Sequence, residues 1–420
     1  MKLLRAEATD AFEYGTLGQQ VDASFIDGQI KLMISDSTQT WSDFLYSKFT
    51  SVIMRHFVEY GCQTVVLAFD DKRHVPRAKA ITQKKRRDGV QIIDFGETDV
   101  LPTMLPSEWK NAIMNPWFKH RVIELICLNV PRLVSPPRPG CKLIVDWETV
   151  CEYTYYETSD EMPDPVPLEQ PTHIGEADLK FTRWMRALRC PMLVEATDGD
   201  YIPIALGLKA AGLDHPVAIL KAWNADKGVE FVHVDKLHAW IHKQMRRAGM
   251  QGPAWWEVRL FITLLGLSGT DFTRNLPLVT PFKMWTALPL IVRTFDMESD
   301  TRIHTAQGKR IVELLYSEAF PKHIDPMSRR CVWSQVRFKH GVLSFLCSDI
   351  MSNPLKHIQA QASKLGARNK ALIPTDARIM CTLRNVNFLL AYWLDFQPPE
   401  GGLEDYGFRT DADGVLVWDD

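Results

Sequence analysis

The chain has 420 residues, 46% of them hydrophobic, and sets 49 Lys+Arg against 51 Asp+Glu for a formal net charge of −2. That composition supports a packed core and, at roughly 150 residues per domain, allows two or three domains. It excludes a uniformly basic, histone-like nucleic-acid binder but leaves room for local segregation of charge. No apolar run is long enough to span a bilayer, and the opening MKLLRAEATDAFEYG carries acids where a secretory signal needs an unbroken apolar stretch. A soluble intracellular protein without membrane partners is expected. The eight cysteines form no C-x-x-C pair and sit mostly among apolar neighbours. Reduced thiols in a reducing compartment are expected, rather than a zinc ribbon or a disulfide framework.

In chain order, the first predicted strand is Lys31 to Ser35, followed by a helix over Asp43 to Tyr60 and a strand over Thr64 to Phe69. A stretch from about 71 to 140 then interrupts the rhythm and opens with a dense basic cluster. The pattern resumes with a strand at Lys142 to Asp146, and an acidic, proline-rich segment over 155–171 is predicted as an exposed loop. A helix over Ala177 to Leu188, a strand over Met192 to Ala196, a helix over Tyr201 to Ala211 and a strand over Val217 to Ala222 follow. Alternating strands and helices of this kind predict an α/β fold with a central, mostly parallel sheet. The helix from Trp255 to Leu267 starts after Pro253, as helices often do. Beyond Pro277 the remainder is predicted to be mainly helical, with examples at Ile303 to Tyr316 and Asp376 to Leu394. The division expected is a core over 1–290 and a helical C-terminal extension over 291–420.

The acids fall where such a sheet would concentrate them. Asp36 ends KLMIS, Asp70 ends TVVLAF, and Asp198 and Asp200 follow PMLVEAT. Ligands of open parallel sheets bind outside the carboxyl ends of the strands, so these stretches would bring carboxylates to one edge. Glu176 and Asp178, in IGEADLKF, open a helix, and Asp271 lies just past an apolar helix in LLGLSGTDF. Seven gathered carboxylates would repel one another, and divalent metal with hard oxygen ligands, Mg²⁺ or Mn²⁺, is the natural compensation. Two such ions about 3.5–4 Å apart suit phosphodiester hydrolysis. Taken singly, D-x-D and E-x-D pairs are common on surfaces and at helix starts. The ordered series is more specific.

That series resembles the flap endonuclease/XPG-like 5′-nuclease superfamily, whose relatives include the Xrn 5′→3′ exoribonucleases. The matching text is MISDS, AFDDKRHVPRAKAITQKKRR, GEADLKF, ATDGDYIPIA and LLGLSGTDF, covering roughly Lys31 to Leu290. The resemblance implies a PIN-like nuclease core that holds two Mg²⁺ or Mn²⁺ ions through Asp36, Asp70, Glu176, Asp178, Asp198, Asp200 and Asp271. It also implies an arch that threads single strands in the interval 71–140. Lys79 and Arg86 lie two turns apart at helical spacing. The family uses a Lys and an Arg so placed to act on the scissile phosphate. Lys72, Arg73, Arg77, Lys84, Lys85 and Arg87 would hold the nucleic-acid backbone, although a charge run is more often a solvated helix face.

The chain departs from the family pattern in three places. It begins MKLLRAEATDAF rather than Met-Gly, it lacks the helix–two-turn–helix glycines after Asp271, and its closing residues contain no sliding-clamp peptide. Trp117 and Phe118 are the better candidates for stacking on unpaired bases, against the commoner role of aromatic residues in packing. The leading expectation is a monomeric, metal-dependent 5′-nuclease acting on single-stranded or flap DNA. An Xrn-like exoribonuclease, favoured by VPRAK and GTDFTRNLP, is the second. A catalytically silent nucleic-acid-binding module on the same fold is the third.

Overall fold

The computed structural model describes residues 2–33, 40–71, 92–93, 101–156, 163–169, 175–224, 228–270, 273, 276, 279–294, 305–318, 322–324, 331–338, 341–346, 359, 374–395, 402–412 and 416–419. They fall into two compact units, one running to His238 and the other from Ala239 onward.

Five segments of the first unit form parallel strands: β2 (Ala23–Asp27), β3 (Thr64–Ala68), β4 (Lys142–Asp146), β7 (Met192–Glu195) and β8 (Val217–Asn224). Antiparallel strands extend them: β5 (Val150–Thr154) and β6 (Val166–Leu168) beside β4, and β9 (Gly228–His233) and β1 (Phe12–Tyr14) beside β8. The order across the nine strands is β1-β9-β8-β7-β2-β3-β4-β5-β6. From β2 the chain builds outward through β3 and β4, then returns to add β7 and β8 on the other side. The crevice between β2 and β7 is therefore a topological switch point, the position at which such sheets bind ligands.

The central strands are apolar on both faces, as parallel strands covered by helices must be. On one face, Ile26, Val65, Leu67, Leu143, Val145 and Leu193 pack with Phe44, Phe49, Ile53, Phe118, Val122 and Ile126. Those partners come from the helices Trp41–Leu45 and Ser51–Val58, the turn Tyr46–Thr50 between them, and the helix Pro116–Leu133. On the other face Phe25 meets Phe181 and Tyr201, with ring centroids 5.6 and 6.1 Å away. Their helices, Ala177–Leu188 and Tyr201–Ala210, cover that side.

Strands at Thr64, Lys142, Met192 and Val217 and helices at Ala177, Tyr201 and Trp255 stand close to their expected bounds. The first strand does not. Lys31 to Met33 belong to the helix Gly28–Met33, and the strand is Ala23–Asp27. Asp22 and Ser24 break its apolar run, yet Ser24 is fully buried. Gly28 is what allows the turn out of this strand: a methyl group there would overlap the Phe69 ring.

Two further expectations are corrected. The later half of the 71–140 interval is core rather than an arch. Asn115 caps the helix Pro116–Leu133 through the Trp117 and Phe118 amides at 2.9 and 3.1 Å, and Phe118 is completely buried. Phe118 therefore packs instead of stacking on bases, and Trp117 is half-buried against the same cluster. In the second unit, the helices Ala254–Ser268, Pro281–Thr294, Thr305–Glu318 and Asp376–Leu390 are joined by strands. Three of these, β10 (Lys322–Ile324), β11 (Cys331–Phe338) and β12 (Gly341–Leu346), form an antiparallel sheet inside the region expected to be mainly helical.

Candidate functional site

The parallel register lines up one row of residues at the carboxyl edge of the sheet. Asp27 pairs with Ala68, and Ala68 with Asp146. All three point to the face covered by Ala177–Leu188 and Tyr201–Ala210, because side chains alternate along each strand. Asp70 lies two residues beyond Ala68, just outside the row.

Asp27 is the buried centre of this edge. Its Oδ1 accepts from the Gln29 amide at 2.9 Å and its Oδ2 from the Tyr201 hydroxyl at 3.0 Å. Burial pushes its carboxyl up to about 7, and the charges of Asp70 and Asp178 act in the same direction against the hydrogen bonds. Burial, with the charges of Asp27 and Asp178, likewise holds the Tyr201 phenol well above its ordinary value. Tyr201 is therefore a neutral donor.

The expected acids are distributed as follows. Asp70 Oδ1 accepts from the Ala177 amide at 3.0 Å, so it caps the helix Ala177–Leu188. Glu176, the residue before that helix, and Asp178, in its first turn, are both buried. The helix dipole favours acids at this end. Asp198 is exposed and Asp200 half-buried in the turn after β7, where the Asp200 amide donates to Asp198 Oδ1 at 3.2 Å. Lys221, in β8 just past its last pairing with β7, donates to the carbonyls of Thr197 (2.8 Å) and Asp198. Burial lowers its ammonium to about 8 against the opposing charges of Asp198 and Asp200. Asp36 and Asp271 lie outside the described residues, as do Lys72, Arg73, Arg77, Lys79, Lys84, Lys85, Arg86 and Arg87. Among the described residues, no group of three His, Cys, Asp or Glu side chains is arranged to hold a metal ion.

Sequence reasoning missed three acids at this edge. Asp27 was hidden by the interrupted run ASFID, and its signal is the Asp-Gly step that ends it. Asp146 is fully buried beneath Lys180, Arg183 and the Trp184 indole, whose Nε1 donates at 2.7 Å. Glu195 ends β7 but faces the opposite layer, since it pairs with Ile26 rather than Asp27. There it meets Lys31, Arg55 at 2.9 Å and the buried His56 at 2.7 Å. Burial alone would raise the Glu195 carboxyl, but His56, Lys31 and Arg55 together hold it well below the ordinary carboxylate range.

No protein-family model matches the chain, and no curated protein matches it.

Proposed function

We propose that the chain is a metal-dependent 5′-nuclease that hydrolyses phosphodiester bonds in DNA of single-stranded or 5′-flap character, on a PIN-like core of the flap endonuclease/XPG-like type. The observation that carries this reading is Asp27: a buried carboxyl at the switch point of a parallel sheet, under the charge of Asp70 and Asp178. In this reading Asp27 takes the place, at the end of the first strand, that the sequence assigns to Asp36.

Carboxylate oxygens are the hard donors that suit Mg²⁺ or Mn²⁺, but among the described residues no three of them are already gathered around one ion position. In this reading Asp27, Asp70 and Asp178 would close on the ions as these bind, with Glu176, Asp198 and Asp200 joining them. When bound, two such ions supply an activated water and charge stabilisation at the leaving oxygen. The chain's own groups do the rest. The Tyr201 hydroxyl orients Asp27, and the Ala177 amide orients Asp70. Lys79 and Arg86 act on the scissile phosphate. Lys72, Arg73, Arg77, Lys84, Lys85 and Arg87 hold the backbone and give binding its salt dependence. The protein works as a monomer on nucleic acid.

The test sets the purified chain, with Mg²⁺ or Mn²⁺ and then with EDTA, against 5′-flap DNA, single-stranded DNA and 5′-monophosphate RNA. Metal-dependent cutting of the DNAs supports the reading. Preference for the RNA moves it to an Xrn-like exoribonuclease, which the VPRAK and GTDFTRNLP motifs favour. Binding without cleavage of any substrate makes the fold a silent nucleic-acid-binding module.

A further inference from the structure

Lys180 stands in the first turns of the helix Ala177–Leu188 and is 2% exposed. Its ammonium donates to the carbonyl oxygens of Phe69 (2.9 Å), Trp147 (3.0 Å) and Asp146 (3.3 Å). It also forms an ion pair with Asp146 Oδ1 at 2.9 Å, outside hydrogen-bond alignment. An ammonium has three protons to give, and three carbonyls take them. The carbonyls lie at and just beyond the last ladder pair of β3 and β4, Ala68 with Asp146; that of Asp146 also accepts from the Phe69 amide at 2.9 Å, which leaves Phe69 O and Trp147 O as the two that Lys180 serves beyond the ladder. A buried carbonyl left without a donor is costly, so Lys180 is bound to this end of β3 as firmly as the end is bound to it.

The peptide that Lys180 grips through Phe69 O is the one that carries the Asp70 nitrogen. Asp70 in turn grips the same helix from the other side, through Oδ1 on the Ala177 amide, and the next amide, Asp71, donates to Gly175 O at 2.6 Å. The contacts close a ring: Lys180, the Phe69–Asp70 peptide, the Asp70 carboxylate, Ala177 and back along the helix to Lys180. Breaking it at Lys180 frees the end of β3 to move relative to the helix that bears Glu176 and Asp178. On the other flank Lys221 repeats the device, its ammonium bound to the carbonyls of Thr197 and Asp198 ahead of Asp200.

We propose that Lys180 is a positioning residue: through the Phe69 carbonyl it holds Asp70 in register with Asp178 and Asp27, and so sets the metal affinity of the carboxylate edge. The competing role is narrower. Lys180 would merely neutralise Asp146, which Arg183 and Trp184 also engage. The metal part of the inference rests on the proposed function, but the positioning part is read without metal or substrate.

The experiment compares the full chain with Lys180→Met, and with Lys180→Met combined with Asp146→Asn. Amide exchange at Asp71 and Ala177 is followed in EDTA, thermal stability alongside it, and Mn²⁺ affinity by calorimetry. Positioning predicts at least tenfold faster exchange at those two amides and at least tenfold weaker Mn²⁺ binding in Lys180→Met. The double variant, in which the fully buried Asp146 charge is removed and only the partly exposed Arg183 loses its partner, should regain part of the stability while exchange stays fast. Unchanged exchange in Lys180→Met, or exchange that recovers with stability in the double variant, overturns the proposal. Should Lys180→Met not fold, the double variant decides alone. If the unmodified protein binds no Mn²⁺, the proposed function fails, while the exchange data still decide what Lys180 does.

Discussion

Replacing Asp27 by asparagine should stabilise the protein at pH 8 and leave its stability at pH 4 nearly unchanged. The folded-state carboxyl is raised from 3.8 to about 7, chiefly by burial and by Asp70. Between those two values the folded chain holds a proton that the unfolded chain has released, so stability falls as pH rises through the window and levels off above it. Three units at about 1.4 kcal/mol each set a ceiling of about 4 kcal/mol. The Tyr201 and Gln29 hydrogen bonds are already counted in that shift, and local relaxation lowers what is realised, so about 2–4 kcal/mol is expected for the Asp27→Asn variant at pH 8. Urea unfolding in EDTA from pH 4 to pH 8 measures it, and subtracting the two profiles cancels groups the substitution does not touch. The difference should grow across the window, and adding Asp70→Asn to both chains should make it level off at a lower pH and at a smaller value. Parallel profiles would mean that Asp27 titrates as an ordinary surface carboxyl, and the argument for a crowded acidic edge would fall with it.

Glu195→Ala should cost about 3–5 kcal/mol, because it strands Lys31, Arg55 and His56 beside a buried void. Since the Glu195 carboxyl is depressed, its contribution is present above the ordinary carboxylate range and lost as pH falls, so the variant's acid-unfolding limb should be shallower in a pH titration by circular dichroism. Gly28→Ala should cost about 1–3 kcal/mol in urea unfolding by forcing the new methyl into Phe69, and Phe69→Leu should recover part of that loss when the two are combined.

What was legible in the sequence follows from how each element is stabilised. β3, β4 and β7 are buried on both faces by their own apolar side chains, so TVVLA, KLIVD and MLVE announce themselves. β2 is just as buried, but Ser24 and Asp27 are held there by packing and by Tyr201, which comes from a helix more than 170 residues away. The neighbouring run KLMIS was the more apolar text and drew the strand assignment. Asp146 and Glu195 were invisible as buried charges because the cations that pair with them come from distant elements: Lys180 and Arg183 for one, Lys31 and Arg55 for the other. The basic run of Lys72 to Arg87 coloured the whole interval after it, although the helix Pro116–Leu133 is core. In the second unit the segments CVWSQVRF and GVLSFL, two residues apart, pair as a hairpin that the surrounding helical pattern obscured.

Single-turnover cleavage of 5′-labelled single-stranded DNA in Mg²⁺, comparing Asp27→Asn with Asp36→Asn at saturating enzyme, tests the central claim most directly. The account predicts that Asp27→Asn lowers the rate by about 10²-fold or more, as loss of a group acting on transition-state charge does. Asp36→Asn, at a position this account leaves out of the carboxylate set, should cut at close to the unmodified rate. An Asp27→Asn variant that cleaves normally, beside an inactive Asp36→Asn variant, would contradict the account.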